Sequence, residues 1–319
     1  MNIAIAVALL TCVFLGAVLL LVPHFSPRRY FFGITVPPGF RATEPAHRAL
    51  RGYHATVASA TLIAVALQCL LPSGMPFAPA LIVVAAAVAF LRERARIRPY
   101  AAPSAPPHPQ LDGGHLPRWL ALAALPYAVL LAVAAYLRAH WDEIPARFPV
   151  HWGVNGEPNG WSEKTVRGVY GPLVFGAGLC FLMLMLALGT WYGSRPSRMR
   201  KPMLAILISA TYVMTYAFTM VSLLPLYRVG PAALMVPILA YVIAVVAWSF
   251  RLNAENEGEE TPDECWTGGG IYYNPSDPAI FVQKRIGVGY TINFGNHRSW
   301  LYLGLFAAGI IGLIFLLPR

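Results

Sequence analysis

Residues 168–192 read GVYGPLVFGAGLCFLMLMLALGTWY, a run without a single Asp, Glu, Lys or Arg. A helix of about 20 apolar residues spans a hydrocarbon core about 30 Å thick, and such a helix satisfies its own backbone hydrogen bonds there. The run therefore reads as a membrane span. Working outward, similar runs lie at 119–138 before it, at 202–224, 231–250 and 299–317 after it, and at 2–22 near the start. Residues 52–91 are also uncharged but too long for one crossing, and Pro72, Ser73, Gly74 and Pro76 break them into two helices joined by a tight turn. The pattern predicts an all-α polytopic membrane protein with about eight transmembrane helices.

Composition agrees. Of 319 residues 57% are hydrophobic and 12% charged, with a net charge of +10, and the mean hydropathy is +0.56. Soluble domains carry about 25% charged residues, so an ordinary soluble enzyme is excluded, and so is a disordered chain. The basic residues sit in short clusters between apolar runs and form no single face of the kind nucleic acid requires. Basic residues accumulate in cytoplasmic loops. With both termini outside, eighteen of the 24 Lys and Arg fall in the inner loops at 28–51, 92–118, 195–201 and 251–298. The first run lacks a basic leader and is followed by Arg28 and Arg29, so it reads as a retained helix and not a cleaved signal. The setting this implies is a membrane crossed several times, with both termini outside the cytoplasm.

None of the runs carries an ionisable group at mid-depth, which argues against an ion-coupled pump. No H-E-x-x-H, no G-x-S-x-G and no cofactor motif is present, and no residue is put forward as catalytic. Cys12, Cys69, Cys180 and Cys265 show neither C-x-x-C nor zinc spacing and read as free thiols. Gly304, Ala308 and Gly312 make a smooth strip suited to helix packing or to a homodimer face. Thr211, Thr215, Thr219 and Ser222 form a polar stripe beside Tyr212 and Tyr216, read as interhelical hydrogen bonding or as the lining of an intramembrane groove. Pro126 and Pro237 are expected to kink their helices.

The loop at 139–167 contains IPARFPVHWGVNGEPNGWSEK at 144–164. Its two Asn-Gly steps and its prolines predict a compact, non-helical segment, with Trp141, Trp152 and Trp161 at headgroup depth. His151, Trp152, Asn155, Glu157, Trp161 and Lys164 are its candidate ligand-binding residues. His140, Asp142, Glu143, His151 and Glu157 have the chemistry of zinc ligands, although nothing in their spacing enforces a site. The order Pro145, Pro149, His151, Trp152, Gly156, Pro158, Trp161, Lys164 resembles the signature of the SdpI-like bacterial membrane family, which includes an immunity protein against a secreted toxin. The resemblance implies self-protection against a secreted peptide and signalling by holding a repressor at the membrane. With about eight spans and an inserted inner module, this chain departs from that pattern.

Residues 251–298 divide into an acidic tether, Glu255 to Glu264, expected to be a solvated linker, and a β-rich stretch. Gly268–Gly270 lacks the Gly-Lys-Ser/Thr of a phosphate loop, and Gly287-x-Gly289 lies in a strand pattern, so no nucleotide site is read there. The stretch resembles an inner module of uncharacterised bacterial membrane proteins that share the outer-loop signature. A sheet this small needs support, so packing on the bundle is expected. Lys284 and Arg285 are placed near anionic headgroups, and Trp266, Tyr272, Phe281, Lys284 and Arg285 are the candidate partner-binding residues.

The linear organisation is then a four-helix region at 1–138, the signature loop and following helix at 139–192, two helices at 193–250, the tether and β module at 251–298, and a last helix at 299–319. The function predicted is a receptor-like or immunity protein that senses or neutralises a secreted peptide or lipid and reports to a cytoplasmic regulator. Lipid handling or passive transport through the Thr/Tyr stripe is one alternative. Metal-dependent hydrolysis at the outer loop is another.

Overall fold

A computed structural model describes all residues except 1–2, 71–76, 105–110, 112–113, 153–156, 228–230 and 317–319. Its long helices are α1 (Ile3–Leu21), α2 (Glu44–Leu70), α3 (Ala78–Ile97), α4 (Leu125–Ala139), α5 (Val166–Gly193), α6 (Arg200–Leu223), α7 (Pro231–Ala254) and α8 (His297–Leu316). Six crossing-length apolar segments result, from α2, from α4 with its 3-10 lead-in Arg118–Ala124, and from α5, α6, α7 and α8. The chain is a multi-pass α-helical membrane protein. The sequence predicts eight such helices. Of the other two, α1 contributes the apolar stretch Ala8–His24 among the described residues, and α3 ends in Arg92, Glu93, Arg94 and Arg96. The tight turn expected at Pro72–Pro76 lies outside the described residues.

Contacts divide the chain into two compact units, Met1–Pro109 with Ser249–Asn296, and Gln110–Trp248 with His297–Arg319. In the first, α1, α2 and α3 pack through small residues, with Ala46, Ala49, Ala60, Ala64, Ala86 and Ala89 all buried. Gly16 lets α1 approach α2 so closely that an added Cβ would lie 2.4 Å from Thr61 Oγ1. Above this sits a set of two-stranded antiparallel ribbons, β1 (Tyr30–Phe31) with β2 (Ile34–Thr35), β5 (Trp266–Thr267) with β6 (Ile271–Tyr272), and β7 (Phe281–Gln283) with β8 (Tyr290–Ile292). A parallel bridge from Tyr272 to Asn293 ties the last two ribbons together. The β1–β2 ribbon was not read from sequence. It turns at Phe32 and Gly33, both at positive φ (47° and 71°), which is the conformation a two-residue hairpin favours. Phe32 tolerates it because its buried ring packs on Tyr53 and Phe90, with centroids 5.7 and 5.2 Å away.

In the second unit α5 is the hub. Cβ atoms added at Gly176, Gly178 and Gly189 would meet Phe218 of α6 and Leu313 and Tyr302 of α8 within 2.8 Å. The strip Gly304, Ala308, Gly312, expected to be the packing face of α8, is exposed. No side chain lies within 4 Å of where a Cβ on Gly304 or Gly312 would stand. The close approach comes from glycines of α5, which accept bulky side chains of α8. Pro126 stands in the first turn of α4, at the change from the 3-10 lead-in to α helix. Pro237 lies inside α7, as the sequence places it.

Candidate functional site

The outer loop folds as a ribbon, β3 (Arg147–Trp152) with β4 (Pro158–Glu163), registered by Arg147↔Glu163, Pro149↔Trp161 and His151↔Gly160. The register slips on either side of His151, a bulge that turns its ring outward. Its Nδ1 pairs with Asn159 Oδ1, and Gly160 opposite allows the strands to close, since a Cβ there would lie 2.8 Å from that of His151. At the base, Lys164 N donates to Ala146 O at 2.9 Å, and Thr165 caps α5 by accepting from Gly168 N at 2.9 Å. Trp141 stacks on Tyr170, with centroids 6.0 Å apart and planes at 9°.

Of the six candidate ligand residues, His151, Glu157 and Trp161 are exposed, and the guanidinium of Arg147 lies 5.1 Å from the Trp161 ring. Lys164 is half-buried, its ammonium 5.6 Å from the Trp141 ring. Trp152 closes the ribbon opposite Pro158. Asn155 and the first Asn-Gly step lie outside the described residues. His140 bonds back to its own helix at Tyr136 O, 3.0 Å away. Among the described residues no three His, Cys, Asp or Glu side chains gather as a metal would require.

The inner module is built around Arg285, whose side chain is completely buried. It pairs with Asp263, donates to Gly33 O at 3.0 Å, and also meets Thr261 through its carbonyl and its Oγ1. Two rings sandwich the guanidinium, Tyr30 at 4.5 Å and Trp266 at 5.0 Å. The same Asp263 accepts from Thr35 Oγ1 at 2.6 Å. Arg94 spans the neighbouring turns by donating to Phe32 O at 3.1 Å and Trp266 O at 3.5 Å. The glycine-rich segment therefore serves close approach. A Cβ on Gly33 would sit 2.9 Å from the Cα of Gly269. Farther along, Asn293 donates to the carbonyls of Asn274, Asp277 and Ala279 at 2.9–3.2 Å and accepts from Asn274 N at 3.0 Å. Tyr272, fully buried, donates to Asp277 Oδ2 at 2.8 Å.

Two expectations change here. Arg285 lies inside the module and reaches no headgroup, because its partners Tyr30 and Gly33 belong to a loop some 250 residues earlier in the chain and close it in. The acidic tether is anchored and not simply solvated. Asp263 holds Arg285, Glu260 holds Arg29, and Glu259 accepts from Gln283 N at 2.8 Å. Trp266, Tyr272 and Phe281 are buried with Arg285, leaving Lys284 half-buried. Ile271 and Tyr273 are exposed on the module's surface.

On α6, Thr211, Thr215 and Ser222 are buried and Thr219 and Tyr216 half-buried. Cys180 of α5 bonds the Thr211 carbonyl at 3.5 Å and Thr215 Oγ1 at 3.6 Å. Tyr212 donates to Leu122 O at 2.7 Å and Tyr216 to Ala233 O at 2.5 Å. Tyr212, Tyr216 and the Cys180–Thr215 pair make bonds between helices, whereas Thr211 Oγ1 donates back to Ile208 O within α6, and Thr219 Oγ1 and Ser222 Oγ are buried without a partner among the described residues.

The helices thus define a multi-pass membrane protein with an ordered ribbon between α4 and α5 and an ordered β module between α7 and α8. Residues 128–175 match a family model described as a domain of unknown function (DUF1648), an SdpI-like domain. Residues 275–300 match one described as a family of unknown function (DUF5808). The likeness covers the ribbon with the adjoining parts of α4 and α5, and the second half of the module with the start of α8. No curated protein and no solved structure matches the chain.

Proposed function

We propose that this protein is a receptor-like or immunity protein of a bacterial inner membrane. Its ribbon engages a secreted peptide or lipid and its β module reports to a cytoplasmic regulator. In this reading α1 and α3 are two further crossings, which brings the total to eight with both termini outside. The observation that carries it is the order of elements. Three crossing-length helices, α5, α6 and α7, separate the ribbon from the module along the chain, and an odd number of crossings sets two loops on opposite faces of the bilayer. The SdpI-like match across the ribbon supports the outer role. The exposed His151 and Trp161 supply a polar and an aromatic contact there.

The test has two parts. A strain lacking the gene should become sensitive to a secreted toxin, with sensitivity reversed by the wild-type protein and not by Trp161→Ala. Pull-down from cytoplasm should recover a regulator that Tyr273→Ala together with Lys284→Ala releases. Unchanged survival of the deletion strain, with no recovered partner, would refute the proposal. Single cysteines at Asn159 and Arg198 should react with an impermeant reagent from opposite sides of intact cells.

A further inference from the structure

A cleft of about 710 Å³ opens in the first unit between the loop that contains β1–β2 and the acidic tether. That volume falls within the roughly 300–1,000 Å³ of small-molecule sites. Three guanidinium groups line it, from Arg28, Arg29 and Arg41, with Glu257 and Glu260 also on its wall. Arg29 is neutralised by Glu260. Arg28 and Arg41 are not: neither forms an ion pair with a carboxylate among the described residues. Arg41 is fixed where it stands, donating to the carbonyls of Ser26, Pro27 and Tyr30 at 3.1, 3.2 and 2.7 Å, and its Nε is buried with no partner. Arg28 is tethered through Nε to Ala254 O at 2.7 Å. A guanidinium does not shed its proton, so the part-buried Arg41, held only by carbonyls, retains a charge that calls for an anion, and Arg28 adds a second, exposed cation.

We propose that this cleft binds a single phosphate ester, with Arg28 and Arg41 as its cationic contacts. The planar fork of arginine matches phosphate oxygens two at a time. Glu257, on the same wall, limits the anion to one phosphate, since a polyphosphate would meet its carboxylate. Pro38 and Phe40 offer the carbon skeleton an apolar face. The phosphate belongs either to a lipid headgroup or to a small soluble ester, and both present the same chemistry.

The experiment uses the full chain in maltoside micelles and in nanodiscs. In micelles, glycerol 3-phosphate is titrated against the thermal unfolding midpoint, with sodium chloride at matched ionic strength as the control. In nanodiscs of phosphatidylethanolamine with and without phosphatidylglycerol, retained lipid is read by native mass spectrometry. A saturable upward shift with glycerol 3-phosphate identifies a soluble source. Selective retention of phosphatidylglycerol identifies a lipid source. In either case Arg28→Gln should weaken binding about tenfold, Glu257→Gln should strengthen it, and the exposed Arg198→Gln should leave it unchanged. No response in either arm, a response matched by sodium chloride, or one indifferent to both Arg28→Gln and Glu257→Gln would overturn the assignment.

Discussion

The outer ribbon and the inner module are both made from two-stranded pairs, too small to fold alone, yet they dispose of their functional-looking side chains in opposite ways. The module buries Trp266, Tyr272 and Arg285 at 4, 0 and 0% exposure, whereas the ribbon leaves Trp161 48% exposed. The difference lies in what each has for a partner. The β1–β2 loop reaches over the module and closes a polar core around one guanidinium. The ribbon is held at its base by Thr165 and by the stack of Trp141 on Tyr170, and its outer strand positions remain open. One region spends its aromatic and charged groups on shape. The other leaves them exposed.

The largest test of that contrast is Arg285→Met. It leaves Asp263 and two carbonyls without their donor and removes the cation from between two rings, which should cost about 3–5 kcal/mol. Denaturation of the detergent-solubilised protein would show it, and a loss below about 1 kcal/mol would mean that the module does not depend on its buried ion. Gly33→Ala comes next. It combines a left-handed backbone at φ 71° with a clash at 2.9 Å against Gly269, and about 2 kcal/mol is expected.

Alkali separates the two regions by another route. Burial raises the Tyr272 phenol well above its ordinary 10.0, and raises Tyr30 against the opposing pull of Arg285. A raised folded-state value means that the stability these phenols contribute is complete below the unfolded value near 10.0 and is lost as pH climbs through the folded one. Unfolding followed from pH 8 to 11 should therefore steepen for the first unit above about pH 10, and Tyr272→Phe should flatten that dependence. The cap of α5 gives a smaller effect. Thr165→Ala removes the acceptor of Gly168 N and should cost about 1 kcal/mol in the second unit.

Much of this architecture is legible in the chain. Apolar run length gives the helices, Asn-Gly with proline gives a non-helical outer loop, and the β-rich composition after the acidic tether gives a small β module. The full surroundings of Arg285 are not legible, because nothing near position 285 announces that one of its two rings, Tyr30, and one of its carbonyls, that of Gly33, come from the β1–β2 loop. Local composition placed it at the headgroups, since Lys-Arg beside a span usually lies there. The β1–β2 turn escaped for a related reason: Phe32 adopts a positive φ that tertiary packing enforces and its own side chain disfavours. The α8 strip is not where α5 packs, because small residues mark only where approach is allowed. The neighbour's bulk decides where it happens, and here the bulk belongs to α8 itself, at Tyr302 and Leu313 against Gly189 and Gly178 of α5.

The smallest expected change is also the one that tests the comparison most finely. His151 is exposed and bonds only Asn159 on the adjoining strand, so His151→Ala should shift stability by no more than about 0.5 kcal/mol. Trp161→Ala should add at most the strength of an exposed cation–π contact with Arg147, about 0.5–1 kcal/mol. Both variants should nevertheless lose protection against a secreted peptide in the survival assay, because the residues are spent on the ligand and not on the fold. If either instead destabilises the protein by as much as Gly33→Ala does, the ribbon is closed on itself like the module, and ligand contact must be sought at other positions of the outer loop.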